Sequence, residues 1–311
     1  MAIAKSKDTN KAIQGGKVRL YTSPSDRVLI FIVWVLMIFT MIVILIPLLF
    51  VLASSFSSPE AVSAGRVYLW PVDFSLVGYQ VIFQSPNILQ GFGNSVAYTI
   101  VATLVGIVLT LLAGYPLSRQ DLKGRSAILF LYTFTMFFSG GMIPTYLVVN
   151  RLGLIDSFWA MVLPTALSVW NIILFKTYVQ SSIPIEIYES AEMDGCSDWK
   201  YFLNMVIPLS KPIIAVLVLL YAVGKWNDFM SGLLYLNTTE KYPLQMILRN
   251  VLVLNDSGSM AMNLAEQMSR QQLKTQLQYS LIIVSCIPVM ILYPFIQKYF
   301  VKGIMIGSIK G

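Results

Sequence analysis

Histidine is absent, cysteine occurs twice, and only 12% of the 311 residues are charged. Without imidazole, the commonest metal ligand, the Ser–His–Asp triad and histidine proton relays are all excluded. Cys196 falls in a polar connector and Cys286 inside an apolar run, so no disulfide framework is implied. An average soluble domain carries about 25% charged residues. What fills the chain instead is apolar: 56% of residues are hydrophobic and the mean hydropathy is +0.70. That balance excludes an ordinary cytosolic enzyme and any disordered or collagen-like class. It predicts an all-α, polytopic membrane protein.

A bilayer-crossing helix needs about 20 mostly apolar residues. Six stretches qualify, at roughly 28–52, 94–117, 127–149, 158–178, 208–236 and 279–299. The fifth is interrupted by Lys225 and Asp228, and Ser139-Gly140-Gly141 with Pro144 in the third predicts close helix packing or a kink. The first run is 25 residues long. A cleavable signal core spans only about 7–15, so the run is read as an uncleaved anchor.

Fifteen of the 22 Lys and Arg residues fall in segments on one side, six on the other, and Lys225 within a span. By the positive-inside rule both termini are predicted to be cytoplasmic. The net charge of +7 is therefore a topology signal rather than a nucleic-acid footprint. The expected organisation is a cytoplasmic segment 1–27, a six-helix transmembrane domain 28–299 with outer loops 53–93 and 237–278, and a cytoplasmic tail 300–311.

The connector 179–208 departs from the short basic loops of small bundles, because it holds Glu186, Glu189, Glu192, Asp194 and Asp198. Ser182 is a cap candidate with Pro184 in the first turn, and Gly195 suits a left-handed C-terminal cap. Ser197 or Asp198 can cap a second short helix running to about Met205, with Pro208 opening the fifth span. A helix–turn–helix over 184–205 is thus expected across the cytoplasmic face. Tyr188, Ala191 and Gly195 share one stripe, where a small residue lets a partner backbone approach. An amphipathic helix resting on an anionic leaflet should be basic. This one is acidic, which favours protein docking.

Glu189-Ser190-Ala191, then Gly195 and finally Met205-Val206-Ile207-Pro208 resembles the EAA motif (E-A-A-x3-G-x9-I-x-L-P) of ABC-importer membrane subunits. Ser190, Met205 and Ile207 are its mild departures. Met142-Ile143-Pro144, Leu152-Gly153-Leu154-Ile155-Asp156-Ser157, Pro208-Leu209-Ser210-Lys211-Pro212 and Trp226-Asn227-Asp228-Phe229 are similar to the carbohydrate-uptake, MalG-like branch, and within it to the LplC- and YtcP-like permeases. The resemblance implies a cytoplasmic EAA coupling helix and a bacterial cell-membrane location. It also implies a second, non-identical permease subunit, two cytoplasmic ABC ATPase subunits and an extracytoplasmic solute-binding protein, with a sugar as cargo. Carried onto this sequence, Glu189 and Ala191 would enter the ATPase groove, Gly195 would make the turn, and Tyr188, Ser190, Glu192, Asp194 and Pro208 would complete the coupling surface. The 237–278 loop matches in position the loop that MalG-like subunits insert into the binding protein.

The chain carries no G-x-x-x-x-G-K-[ST] phosphate loop, so no catalytic, cofactor or metal site is expected here. ATP and Mg belong to the partner ATPase. For the translocation pathway, Trp170, Asn171, Lys225, Trp226, Asn227 and Asp228 supply the amides, charges and aromatic faces that sugars bind, since ionisable groups within spans are functional candidates. The competing expectation for the last four is packing, or a Lys225–Asp228 pair. An ABC importer of another solute, or an ion-coupled secondary transporter, are the alternative functions.

Overall fold

The computed structural model describes residues 24–253 and 264–306. Most of the 1–27 segment, the centre of the 237–278 loop and the last five residues of the tail lie outside them. Two compact units are formed, one ending at Phe50 and one starting at Val51. The described residues are helical, without strands: α1 (Pro24–Ser55), α2 (Pro59–Ser63), α3 (Val77–Gln84), α4 (Pro86–Ser118), α5 (Arg125–Phe137), α6 (Met142–Arg151), α7 (Phe158–Val162) and α8 (Val169–Ser182) come first. They are followed by α9 (Ile185–Met193), α10 (Asp198–Tyr201), α11 (Ile207–Leu209), α12 (Lys211–Trp226), α13 (Phe229–Tyr235), α14 (Leu244–Val253) and α15 (Leu264–Ile306).

Three helices are long and apolar enough to cross a membrane alone, within α1, α4 and α15, and three bent pairs bring the total to six if each pair is one span. The breaks are where backbone chemistry puts them. In the third span α5 and α6 meet at 110°. Phe138 ends the first helix, Gly141 takes φ +83°, and Pro144 sits in the first turn of the second, where proline is tolerated. The fourth span bends by 52° between a 3-10 turn (Leu163–Thr165) and α8, which Ser168 caps by accepting from the Asn171 amide. The fifth bends by 79° at Ser210. It does not run on to residue 236 as expected, because Asn227 ends α12 and the Asp228 carboxylate caps α13, accepting from Ser231 N–H at 2.9 Å. The second and sixth spans run longer than their apolar cores, starting at Pro86 and Leu264.

The core of the second unit is α4 packed between α8 and α12. Gly106 is required by that approach, since a Cβ there would lie 2.9 Å from both the Ala166 carbonyl oxygen and the Tyr221 ring. The Tyr221 hydroxyl ties the three elements by pairing with Thr110 Oγ1 at 2.6 Å and accepting from Ser168 N–H at 3.2 Å. α4 has 33 residues. At about 1.5 Å rise per residue it connects both ends of the bundle.

Candidate functional site: the two ends of α4

The acidic connector folds as two short helices. Pro184, in extended conformation, precedes α9 and takes the place expected of Ser182. Beyond α9 the chain closes in a Schellman turn: Gly195 N–H donates to Glu192 O at 3.0 Å and Cys196 N–H to Ala191 O at 2.9 Å. Gly195 has φ +71°, and nothing lies near where its Cβ would be. Glycine is needed there for the left-handed backbone alone. Ser197 Oγ caps α10 by accepting from Lys200 N–H, and a π-turn (Phe202–Val206) leads into α11. Pro208 lies in α11, just before the 79° bend at Ser210 from which α12 runs.

Burial divides the connector into two faces. Ala191, 9% exposed, joins Tyr201, Phe202 and Val206 in one apolar cluster with Leu111 and Tyr115 of α4, Phe175 and Val179 of α8, and Ile213 and Leu217 of α12. Tyr115 stacks on Phe202 with ring centroids 4.8 Å apart. Of the expected stripe, Ala191 therefore faces the chain's own core and Tyr188 is half-buried, because the side of α9 bearing Ile187 and Ala191 is its apolar side, while Gly195 is exposed. Outward stand Glu186, Glu189, Ser190, Glu192, Asp194 and Gly195, with Met193 at 90% and Trp199 at 60% exposure. This is an acidic surface with two large apolar projections.

The joint between this connector and α4 is Arg119, which follows the last residue of that helix. Its guanidinium carbon lies 3.4 Å from the centroid of the Tyr188 ring. Nε–H and Nη2–H donate as a fork to the two oxygens of Asp121, both at 2.8 Å, and Nη1–H reaches Asp198 Oδ1 at 3.4 Å. The Tyr188 hydroxyl donates to that same Asp198 oxygen at 3.3 Å, and Gln180 Nε2–H donates to Ser118 O at 2.9 Å. The Arg119 side chain is 15% exposed although both its carboxylate partners are solvated. The hydrogen bonds to Asp121 push the guanidinium pKa up against the opposing effect of burial, and hold the Asp121 carboxyl below the usual carboxylate range. Beside the joint opens a cavity of ≈ 950 Å³, bordered by Tyr115, Arg125, Glu186, Glu189 and Glu192 among others.

The other end of α4 is tied differently. Asp156, at φ +55°, accepts from Asn237 N–H and Thr238 N–H at 3.0 Å each, from Thr238 Oγ1–H at 2.6 Å and from Lys241 Nζ at 2.8 Å. These bonds, led by that from Lys241, hold its carboxyl far below the usual range. α4 then grips the 240–244 stretch: Asn94 Nδ2–H donates to Glu240 O at 2.7 Å, Tyr98 OH to Lys241 O at 2.9 Å, and Ser95 Oγ accepts from Leu244 N–H at 2.8 Å.

Of the candidate pathway residues, Lys225 and Asp228 do come together, at 2.7 Å, with Lys225 Nζ also donating to Thr165 Oγ1 at 3.3 Å. They pair across the end of α12, not along one continuous helix. Trp226 is a packing residue: it is buried, its Nε1–H donates to Ser285 O at 2.8 Å, and it meets Phe92 edge-on. Asn227 is exposed and bonds back to Val223 O. In the first turn of α8, Trp170 is exposed and Asn171 buried. Among the described residues no group of His, Cys, Asp or Glu side chains could hold a metal ion.

Arg119 counts in the sequence only as one of the inside charges, and Asp156 only as part of a motif. The Arg-x-Asp spacing hints at a local fork, but Tyr188, Asp198 and Thr238 are too distant in the chain to be read as partners.

No protein-family profile matches the chain. It is 44% identical over 277 residues to the polygalacturonan/rhamnogalacturonan transport system permease protein YtcP of Bacillus subtilis (strain 168), covering 89% of this chain and 96% of that one. To the protein LplC of the same organism it is 42% identical over 267 residues, 86% and 90% of the two chains. Among solved structures, one chain of a bacterial ABC transporter involved in the import of the acidic polysaccharide alginate superposes with a TM-score of 0.80 at 32% identity, over 89% of this chain and 98% of that chain. With the helical pairs, the acidic connector and these full-length similarities together, the chain belongs to the MalG-like family of ABC-importer permease subunits, multi-pass proteins of the membrane.

Proposed function

We propose that this subunit forms half of the translocation pathway for a sugar or oligosaccharide and that α9 and α10 couple it to a partner ATPase. The carrying observation is the connector itself. Two short helices joined by the Gly195 turn present Glu186, Glu189, Glu192, Asp194 and Met193 outward while Ala191 anchors them inward. A basic groove with an apolar pocket on an ATPase would complement that face. Glu189, Ser190, Glu192, Asp194 and Gly195 are the contact residues. Tyr188, Ala191 and Pro208 hold the helices in place from behind. ATP and Mg are bound by two ATPase subunits, whose closure pushes the connector and moves α4, α8 and α12 between inward- and outward-facing arrangements.

The positive-inside count supports a cytoplasmic connector and cytoplasmic termini. The ends at 53–93 and 237–278 then face outward, toward a solute-binding protein, and a second permease completes the pathway. The transmembrane domain is 28–299, with 1–27 and 300–311 as cytoplasmic ends. The similarity to proteins named for polygalacturonan and alginate import makes uronate-containing oligosaccharides the first cargo to test. In the pathway, the buried Lys225–Asp228 pair at a helix break is the strongest candidate for meeting a sugar, with Trp170, Asn171 and Asn227 on neighbouring turns and Trp226 behind them.

The test is a mild-detergent pull-down of the tagged chain, with proteomics and ATPase activity of the eluate. An ATPase and a second permease should be recovered, and both Glu189→Lys and Gly195→Pro in one chain should release the ATPase without loss of expression. A stable chain recovered alone, with no ATPase activity under varied extraction, contradicts the reading.

A further inference from the structure

We infer that Arg119 is a positioning residue that clamps the coupling helices to α4, so that movement of the connector is delivered to the outer end of the bundle. The inference rests on the coupling function proposed for α9 and α10.

Three observations converge. First, Arg119 touches both parts of the connector, reaching the Tyr188 ring on α9 and Asp198 on α10, while Asp121 orients its guanidinium as a fork. A planar cation that stacks and forks at once is chemistry that lysine does not reproduce. Second, Tyr188 is gripped from two more sides, by Asp198 at its hydroxyl and by the Tyr201 ring edge-on at 5.2 Å. α9, α10 and the end of α4 therefore meet in one cluster. Third, α4 is continuous from this joint to Asn94, Ser95 and Tyr98, which hold the 240–244 stretch. Gly106 and Tyr221 keep it packed against its neighbours along the way.

The apolar cluster around Tyr115 and Phe202 already joins the connector to α4, so packing alone is the rival transmission route. It meets α4 a turn before its end. The cluster also packs Ile187 and Tyr188 of α9, by apolar contacts that have no preferred direction. Arg119 adds to that same turn the one directional contact with α4, stacking on the Tyr188 ring while forked to Asp121.

The experiment uses the complete transporter in lipid nanodiscs, with Cys196→Ser and Cys286→Ser throughout. Environment-sensitive dyes are attached singly through Lys200→Cys on α10 or Thr239→Cys beside the stretch that the far end of α4 holds, both exposed positions. ATP with vanadate should change the signal of both dyes in the parent. In Arg119→Gln the Lys200 response should persist while the Thr239 response falls about five- to tenfold, the scale of one cation–π contact plus a charge-assisted fork. Tyr188→Leu should reproduce this and Tyr188→Phe, which keeps the ring, should not; this pair carries the test if Arg119→Gln does not assemble. Retention of both responses would show that the apolar cluster transmits alone. Loss of both would show that Arg119 merely keeps the helices in shape. Either overturns the inference. If the parent itself shows no response at Lys200, the coupling function fails and the clamp with it.

Discussion

One charged residue stands at each end of α4, and the two are bonded in different ways. At the end away from the connector Asp156 fixes the loop that α4 grips: two backbone amides, a hydroxyl and an ammonium converge on a carboxylate whose own backbone is left-handed. At the connector end Arg119 binds only side chains, and two of the three, Asp121 and Asp198, are about 70% exposed. Backbone hydrogen bonds fix a loop to one conformation, whereas solvated side-chain contacts can re-form after a rotation. On the proposed coupling function, the far end serves as a post and the connector end as a joint.

The largest effect should come from removing the post. Asp156→Ala leaves two loop amides and the Thr238 hydroxyl without their acceptor, and Lys241 with the residue-156 carbonyl alone. It should lower the thermal midpoint of the detergent-purified protein by roughly 3–6 °C, and open the Lys241 peptide bond to trypsin. An unchanged digestion pattern would mean that α4 holds the loop unaided.

Acid sharpens the same contrast. Asp156 and Asp121 both have depressed pKa values, Asp156 further, so each contribution is complete above the ordinary carboxylate value of about 4 and is lost as pH falls through the folded value. The joint should therefore loosen before the post. As pH falls below about 4, a dye on the Lys123 loop should respond before nicking by pepsin begins near Tyr242. The reverse order would break the comparison.

Gly195→Ala tests the joint's own backbone. Placing a Cβ at φ +71° costs about 1 kcal/mol with no steric clash to add. ATPase recovery in the pull-down should fall several-fold while Asp156-dependent protease resistance is untouched. The smallest effect belongs to Asp198→Asn. At that exposure the ion pair contributes at most about 0.5 kcal/mol, so unfolding should be unchanged within error, and a large shift would argue against a joint that tolerates rearrangement.

Much of this architecture is legible in the sequence because hydropathy and positive charge are summed over whole segments. The six spans follow from apolar runs, and the Gly195 turn from a glycine after an acidic helix. The breaks were partly legible: Gly140-Gly141 predicted the third, but the end of α12 at Asn227 did not stand out from apolar neighbours on either side. Direction of facing was not legible for Ala191, since a small residue on a helix suits a close partner and a close core equally. Its burial is decided by Tyr115, Phe175 and Phe202, all of which lie on other elements. Arg119 and Asp156 escaped for the same reason. A charge next to a span signals sidedness, and only the fold brings Tyr188 or Thr238 to it.

The central claim, that α9 and α10 receive an ATPase, is tested most directly by site-specific crosslinking. Glu189→Cys and, as the outer-end control, Asn237→Cys are made separately in a Cys196→Ser, Cys286→Ser background and treated with a short bifunctional reagent in native membranes. The account predicts that Glu189→Cys captures a nucleotide-binding subunit, that ATP with vanadate alters the yield, and that Asn237→Cys captures none. Capture of that subunit from Asn237→Cys, or labelling of Glu189→Cys only by an impermeant reagent added outside the cell, would contradict it.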